Sequence, residues 1–234
     1  MPMTADLHAL SKLPRDEAFR QWLGLPGEWV EEPNVRRGGE SGVKRLLTTD
    51  GKVLYRKQQI AHTYRSLRHP FGYPTSMREA SVLRDFAALK VIVPVVVYSD
   101  CRKISGTWHS LLVTQALDGF SSLEDCYARG DHQQWGEALH RRIVHEVGRT
   151  QARFNRARWQ HGCLRMKHLF VRLQDDNVEI ATLDLEKTRQ RITALYAARH
   201  DISQLRRHTD WSDELWQCYL QGYAETFGPA FKDI

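Results

Sequence analysis

The chain has few cysteines, and they are far apart. Its 234 residues include four, namely Cys101, Cys126, Cys163 and Cys218. Because no two of them form a CxxC pair, the sequence argues against a zinc site. The first residues, MPMTADLHAL, contain neither the apolar segment nor the cleavage site of a signal peptide, so we expect reduced thiols.

Long apolar runs are also missing. The longest is residues 91–98, and Pro94 interrupts it. A membrane-spanning helix needs about 20 apolar residues. We therefore expect a soluble protein, or at most one that contacts a membrane peripherally.

The sequence does have a basic charge and enough apolar residues for a core. The net charge is +6, the isoelectric point is about 9.2, and 41% of the residues are hydrophobic. The charge fits either a solvated basic surface or an anionic partner, such as nucleotide phosphates, nucleic acid or an acidic membrane surface. No helix-turn-helix, RRM or zinc signature accompanies it, so we expect no nucleic-acid partner.

Patterns up to residue 115 are mainly of the β type, and those from residue 116 onward are mainly helical. Residues 1–32 contain only a short amphipathic piece, residues 16–23. The predicted strands are residues 43–48, 52–58, 91–98 and 110–115, with a hairpin turn at residues 100–107 and one helix at residues 76–89. The change in pattern at residue 115 predicts a boundary between two lobes.

Glycines cluster immediately before the first predicted hairpin, in the segment Gly38-Gly39-Glu40-Ser41-Gly42. A glycine-rich loop lets backbone N–H groups approach phosphate oxygens, because no Cβ blocks them. Simple turns explain three glycines equally well.

Lys57 and Glu79 each have two interpretations. Lys57 is either a cation that binds phosphate or a lysine that protects an exposed strand edge. Glu79 either complements the dipole of its helix or forms an ion pair with Lys57.

A second polar segment, residues 160–171 (QHGCLRMKHLFV), follows a long helical pattern at residues 133–158. It opens with His161-Gly162 and leads into a short strand. A second strand ends just before Asp184. Because a hairpin brings its two open ends together, we expect Asp184 to lie beside this loop.

In this order, the glycines, the strand lysine, the helix glutamate, the His-Gly loop and the aspartate resemble a protein kinase. The sequence is similar to the bacterial lipopolysaccharide-core kinases of the InaA/WaaP type, which phosphorylate sugars of the Kdo and heptose region. Residues 64–75 (YRSLRHPFGYPT) look like a segment typical of that family. The resemblance implies a two-lobed α+β fold of the protein-kinase type: a small β-rich N-terminal lobe with one helix, residues 1–115, and a larger helical C-terminal lobe, residues 116–234.

The resemblance also implies ATP and Mg²⁺ as cofactors. It implies an anionic sugar or glycolipid of the lipopolysaccharide core as acceptor. The location would be the cytoplasm, with peripheral contact at the inner membrane as an extension. The residues implied for nucleotide binding are Gly38, Gly39, Ser41 and Gly42 over the phosphates, Lys57 on the α/β-phosphates, and Gln115 to Leu117 at the adenine.

The catalytic residues implied are Lys57, the Glu79 that holds it, His161, Cys163 and Asp184. His168 and Asp184 would bind the metal. Asp201 would either brace the catalytic loop, as a matching aspartate does in kinases, or cap a helix.

Cys163 departs from the kinase pattern. Active kinases have an aspartate here, which accepts the proton of the substrate hydroxyl. General-base help is worth about 10²–10⁴-fold, and a free thiol with a pKa of ~8.5 is mostly un-ionised at neutral pH. The sequence therefore leaves two hypotheses: a sugar kinase, and a pseudokinase that binds a nucleotide or a partner without phosphoryl transfer.

Overall fold

The computed structural model describes residues 5–36, 38–175 and 177–233. These residues divide into two compact units, one within Met1–Arg84 and Pro94–Ala116, the other within Asp85–Val93 and Leu117–Ile234. Helices and antiparallel strand pairs occur in both units. The mixed α+β character predicted from the sequence is therefore confirmed.

The helices and strands are as follows. The α-helices of the described residues are α1 (Leu7–Ser11), α2 (Arg15–Gly24), α3 (Thr75–Ala88), α4 (Leu123–Arg129), α5 (Asp131–Gln134), α6 (Gly136–Arg156), α7 (Ala194–Arg206) and α8 (Asp213–Phe227). The strands are β1 (Glu28–Arg36), β2 (Gly39–Leu47), β3 (Val53–Ile60), β4 (Thr63–Ser66), β5 (His69–Pro74), β6 (Val96–Ile104), β7 (Thr107–Gln115), β8 (Ser121–Ser122), β9 (Trp159–Gln160), β10 (Leu169–Gln174), β11 (Asn177–Thr182) and β12 (Arg189–Gln190). Within the described ranges, no helix is both long enough and apolar enough to cross a membrane.

The first unit is built on a five-stranded antiparallel sheet with the order β1-β2-β3-β7-β6. Side chains alternate between the two faces of its central strand, β3. Leu54 points to the face where Phe19, Trp22 and Leu25 form an apolar core. Lys57, three residues further on, points to the opposite face, which is the face occupied by the start of α3.

This unit contains more regular structure than the sequence predicted. The prediction of one helix is wrong in number, because α1 and α2 precede the sheet, and α2 coincides with the short amphipathic piece expected at residues 16–23. The strand β1 was missed because its register shifts twice, between Trp29 and Glu31 and between Glu31 and Asn34. Such bulges remove the strict alternation by which a strand is recognised.

The strand predicted at residues 91–98 is present only from residue 96 onward. Val91 and Val93 are buried, but β6 begins only at Val96. Pro94 lacks the N–H group that a strand interior requires, and a short apolar run does not distinguish a buried loop from a strand. The turn predicted at residues 100–107 shrinks to Ser105-Gly106, where φ is +50° and +82°, as expected of a two-residue hairpin loop.

The second unit is centred on α6. Near its C-terminal end Phe154 stacks on Phe86, with ring centroids 5.0 Å apart. Helix α8 packs along α6, and Gly148 and Gly222 each lie directly against backbone atoms of the other helix. The predicted hairpin after the His-Gly loop is present as β10 and β11, paired from Leu169–Thr182 to Gln174–Asn177.

Candidate functional site

An ion pair joins Lys57 and Glu79 in the first unit. The Lys57 Nζ and Glu79 Oε2 atoms are 2.8 Å apart, and the two side chains are 19% and 12% exposed. Lys57 lies in the middle of the sheet, opposite Val43 of β2 on one side and Leu112 of β7 on the other. It therefore does not protect a strand edge, and Glu79 fixes the position of its ammonium group.

Gln59 holds the start of α3, the helix that carries Glu79, against the strand that carries Lys57. The Gln59 Oε1 atom accepts hydrogen bonds from Thr75 Oγ1 and from the backbone N–H of Ser76, both at 3.0 Å. It thereby caps the first turn of α3, whose N–H groups have no partner within the helix. A second bond, from Ser76 Oγ to Ser110 Oγ at 2.7 Å, ties the same turn to β7. Sequence reasoning missed Gln59. Its only local signal is that it is a polar residue two positions after Lys57, and therefore on the same face of the strand.

The glycine segment is not the open loop that the sequence predicted. Gly38 lies in the turn between β1 and β2, with φ at +77°. Gly39, Ser41 and Gly42 belong to β2 itself.

Close packing accounts for two of these glycines. A Cβ on Gly39 would lie 2.7 Å from the Cα of His62, and one on Gly42 would lie 2.8 Å from the ring of Trp29. Both glycines are therefore required where other parts of the chain approach the strand.

Residues 115–117 offer fewer backbone groups to adenine than the resemblance implied. The N–H of Gln115 donates to Val95 O, and the N–H of Ala116 donates to Val53 O, both at 2.9 Å. The carbonyl of Leu117 accepts from the N–H of Phe120 at 3.2 Å. Two N–H groups of this segment are therefore already committed within the first unit.

Asp201 holds the His-Gly loop in the second unit. Its fully buried carboxylate accepts hydrogen bonds from the backbone N–H groups of His161 (2.7 Å) and Gly162 (3.1 Å) and from Asn155 Nδ2 (2.9 Å). Of the two interpretations left open, the brace is confirmed and the helix cap is wrong, because Asp201 lies inside α7. Asn155 was missed, although a buried polar residue in an amphipathic helix needs a partner.

Backbone carbonyls orient both histidines of the loop. His161 Nε2 lies 2.9 Å from Leu183 O, and His168 Nδ1 lies 2.8 Å from Cys163 O. Each of these bonds assigns a proton to the nitrogen that donates. The other nitrogen of each neutral ring therefore carries a lone pair, at Nδ1 of His161 and at Nε2 of His168.

The His168 lone pair faces a carboxylate. Its Nε2 is 3.3 Å from Asp184 Oδ2, a distance that would suit an imidazolium paired with a carboxylate. Burial, however, lowers the pKa of His168 to about 4 and outweighs the opposing effect of Asp184. At neutral pH the imidazole is therefore neutral, and two electron-rich atoms face each other.

Asp184 has an unusual backbone conformation. Its φ and ψ are +58° and +57°, in the left-handed region, which non-glycine residues rarely occupy and which is enriched at functional sites. The N–H of the preceding Leu183 donates to His168 O at 2.9 Å. The hairpin thus brings Asp184 beside the His-Gly loop, as the sequence predicted.

Cys163 lies between these groups. Its Sγ is 3.6 Å from Asp184 Oδ2 and 3.8 Å from His161 Nδ1. Burial, reinforced by the charge of Asp184, raises the pKa of the thiol to about 12. Without a bound cation the group is a thiol at neutral pH, so it does not act as a general base.

The chain is similar to known proteins both in sequence and in fold. The model of the lipopolysaccharide kinase (Kdo/WaaP) family matches residues 20–223. Protein InaA of Escherichia coli (strain K12) is 37% identical over 194 residues, which cover 83% of this chain and 89% of that protein. A solved structure of WaaP in complex with acyl carrier protein matches with a TM-score of 0.67 and 19% identity, over 92% of this chain and 84% of that one.

The structural match, at that low identity, supports a kinase-like fold and nothing more specific. The family model covers most of the chain, and the relative is well above the identity at which a shared family is secure. The chain therefore belongs to the lipopolysaccharide kinase (Kdo/WaaP) family.

Proposed function

We propose that this chain is an ATP-dependent sugar kinase that transfers the γ-phosphoryl group to a hydroxyl of the lipopolysaccharide core. The observation that carries the proposal is the partly buried ion pair between Lys57 and Glu79. Phosphoryl transfer requires mainly that charge be neutralised and the reactants positioned. A lysine held by a glutamate supplies a fixed positive charge for the α/β-phosphates.

Among the clustered side chains of the second unit, one is well suited to bind Mg²⁺. Asp184 offers the carboxylate oxygens that Mg²⁺ prefers, and phosphates and waters commonly complete its coordination. The imidazole of His168 and the thiol of Cys163 are softer donors, less suited to this ion. When bound, Mg²⁺ would neutralise phosphate charge, and Asp184 is the residue that would hold it.

The acceptor hydroxyl would rely on position rather than on a base. Cys163 stands where kinases have the catalytic aspartate. Because its raised pKa keeps the thiol protonated at neutral pH, it cannot take a proton from the acceptor. In a loose transition state the acceptor needs little early deprotonation. Slow transfer is therefore compatible with a thiol at this position.

A thermal-shift titration with ATP, with and without Mg²⁺, tests the proposal. We expect ATP with Mg²⁺ to stabilise the unaltered chain and Asp184→Ala to lose the Mg²⁺-dependent part. Lys57→Met should weaken ATP binding by about tenfold or more, because it removes a charge-assisted hydrogen bond worth about 1.5–3 kcal/mol.

Lys52→Met is the matched control. It removes the same charge from an exposed lysine just before β3, which pairs with Asp50, and should leave ATP binding unchanged. If ATP stabilises neither the unaltered chain nor the control, the nucleotide site does not exist.

The second candidate is a pseudokinase that binds nucleotide without transferring phosphate. The un-ionised thiol of Cys163 is the observation that favours it. Phosphoryl transfer to core sugars, measured for the unaltered chain and for Cys163→Asp, distinguishes the two. Turnover that rises in the variant supports the kinase. Intact ATP binding with no transfer by either protein supports the pseudokinase.

We also propose that the chain acts at the cytoplasmic face of the inner membrane and contacts it through the hairpin of β4 and β5. The apolar side chains of Leu67 and Phe71 there are 103% and 94% exposed. Arg65 and Arg68, also exposed, flank them. Apolar tips with adjacent arginines suit the interface of a membrane that contains anionic lipid.

Binding to vesicles that contain anionic phosphatidylglycerol tests this contact. Each arginine near such a surface is worth about 1 kcal/mol, so the double variant Arg65→Ser, Arg68→Ser should bind roughly 30-fold more weakly. Ile192→Ser, which removes an apolar side chain that is 92% exposed elsewhere, should bind normally. Equal binding by all three proteins would rule the hairpin out.

A further inference from the structure

Four potential metal ligands converge around Cys163 in the second unit. One ligand atom each from His161, Cys163 and His168 lie within 4.8 Å of one another. The carboxylate of Asp184 joins them, with Oδ2 at 3.6 Å from Cys163 Sγ and 3.3 Å from His168 Nε2. The cluster thus combines two imidazoles, a thiol and a carboxylate.

The two imidazoles are oriented for coordination. The hydrogen bonds to Leu183 O and Cys163 O occupy His161 Nε2 and His168 Nδ1. The remaining nitrogens carry lone pairs, and they face Cys163 Sγ and Asp184 Oδ2. Metal-ligating histidines usually donate their second nitrogen to a carbonyl or carboxylate in this way.

The spacing of the donors suits a tetrahedral ion. Metal–ligand distances of about 2.0–2.3 Å place neighbouring donors of a tetrahedron roughly 3.3–3.8 Å apart. Three of the six distances among the four donors, at 3.3, 3.6 and 3.8 Å, fall in this range, and the donor atoms of the two histidines and the cysteine all lie within 4.8 Å of one another.

The kind of donors decides the kind of cation. Mg²⁺ takes oxygen ligands, whereas nitrogen and sulfur donors favour zinc and its neighbours in the transition series. We infer that His161, Cys163, His168 and Asp184 bind a borderline divalent cation of the Zn²⁺ class, one ion per chain. The early expectation of no zinc site rested on the lack of a CxxC pair. These ligands come instead from a His-x-Cys sequence, a histidine five residues later and an aspartate after a hairpin.

Binding is a ligand exchange with no change in oxidation state. The S–H bond of Cys163 breaks, its proton passes to solvent, and the thiolate forms the bond to Zn²⁺. The inference uses residues of the proposed kinase site but does not need phosphoryl transfer, because the ion binds without nucleotide.

Equilibrium dialysis against Zn²⁺ under reducing conditions, without nucleotide, tests the inference. We expect one tightly bound ion in the unaltered chain. Cys163→Ser and His168→Gln should each weaken binding by more than about tenfold, since even loss of a supporting partner of a metal ligand costs about 10–100-fold. Cys101→Ser removes a half-buried thiol from the first unit and should bind Zn²⁺ as the unaltered chain does.

Substitution with Co²⁺ gives a second readout that needs no variant. A thiolate ligand produces an intense charge-transfer absorption in the near ultraviolet, and its absence from the Co²⁺-loaded chain would overturn the inference. So would Zn²⁺ binding that is equally tight in Cys163→Ser. ATP stabilisation measured with Mg²⁺ after chelation of Zn²⁺ is a separate result. If ATP does not stabilise the chain, the proposed kinase is overturned and the Zn²⁺ site is not. If ATP stabilises the chain but no Zn²⁺ binds, the Zn²⁺ site is overturned and the proposed kinase is not.

Discussion

Asp201→Ala is expected to destabilise the protein by about 3–5 kcal/mol, because it leaves several buried hydrogen-bond donors without an acceptor. These donors are the backbone N–H groups of His161 and Gly162 and the side-chain amide of Asn155, all within 3.1 Å of the carboxylate. Two of these donors belong to residues that are fully buried, His161 and Asn155, and therefore have no water to replace the carboxylate. Chemical denaturation of the purified protein measures the loss.

Asp213→Ala is the control for this experiment. Asp213 has 88% of its side chain exposed and pairs with Arg206 at 2.7 Å. Exposed ion pairs contribute at most about 1 kcal/mol. If Asp201→Ala were as stable as Asp213→Ala, Asp201 would not hold the loop.

Gly148→Ala and Gly222→Ala should each destabilise the protein by about 3 kcal/mol or more, beyond the usual range for overpacking. A Cβ on Gly148 would lie 2.1 Å from Tyr219 O, and one on Gly222 would lie 2.1 Å from His145 O. The obstacles are backbone atoms of the facing helix, so no side-chain rotation relieves the clash. Alanine's better helix propensity, worth about 1 kcal/mol, does not offset it.

Gly24→Ala separates this clash from the general effect of alanine. Gly24 is the last residue of α2, and a Cβ there would meet no heavy atom within 4 Å. We expect this variant to be unchanged or more stable by up to about 1 kcal/mol. Thermal or urea unfolding of the three variants gives the comparison. Equal stability would mean that α6 and α8 do not approach as closely as described.

Local patterns predicted the elements of the candidate site better than their surroundings. The hairpin that carries Asp184 was recognised because short strands alternate regularly and their ends must meet. The helix that carries Glu79 was recognised from its apolar periodicity. The roles of Lys57, Glu79 and Asp184 toward a nucleotide remain predictions.

Features that depend on contacts between distant residues were not predictable from the sequence. Gly39 and Gly42 suggested a phosphate loop, but their requirement comes from His62 and from Trp29, which no local pattern reveals. Gln59 caps a helix that begins 16 residues later. The sequence predicted that Asp184 would lie beside the loop of Cys163. It did not predict which ring nitrogens of His161 and His168 face the thiol and the carboxylate, because the carbonyls of Leu183 and Cys163 orient the two rings.

Arg56 links the beginning of the chain to the strand that carries Lys57. It is only 1% exposed, and its guanidinium Nη1 donates to the carbonyls of Trp22 (2.5 Å) and Leu25 (2.8 Å). Shortening the chain past these residues would remove two carbonyl acceptors of this guanidinium and the side chains of Phe19, Trp22 and Leu25 that form the apolar core on this face of the sheet. Truncated versions made for crystallisation or for fusion to other proteins should therefore retain the first 25 or so residues, although none of them belongs to the proposed chemistry.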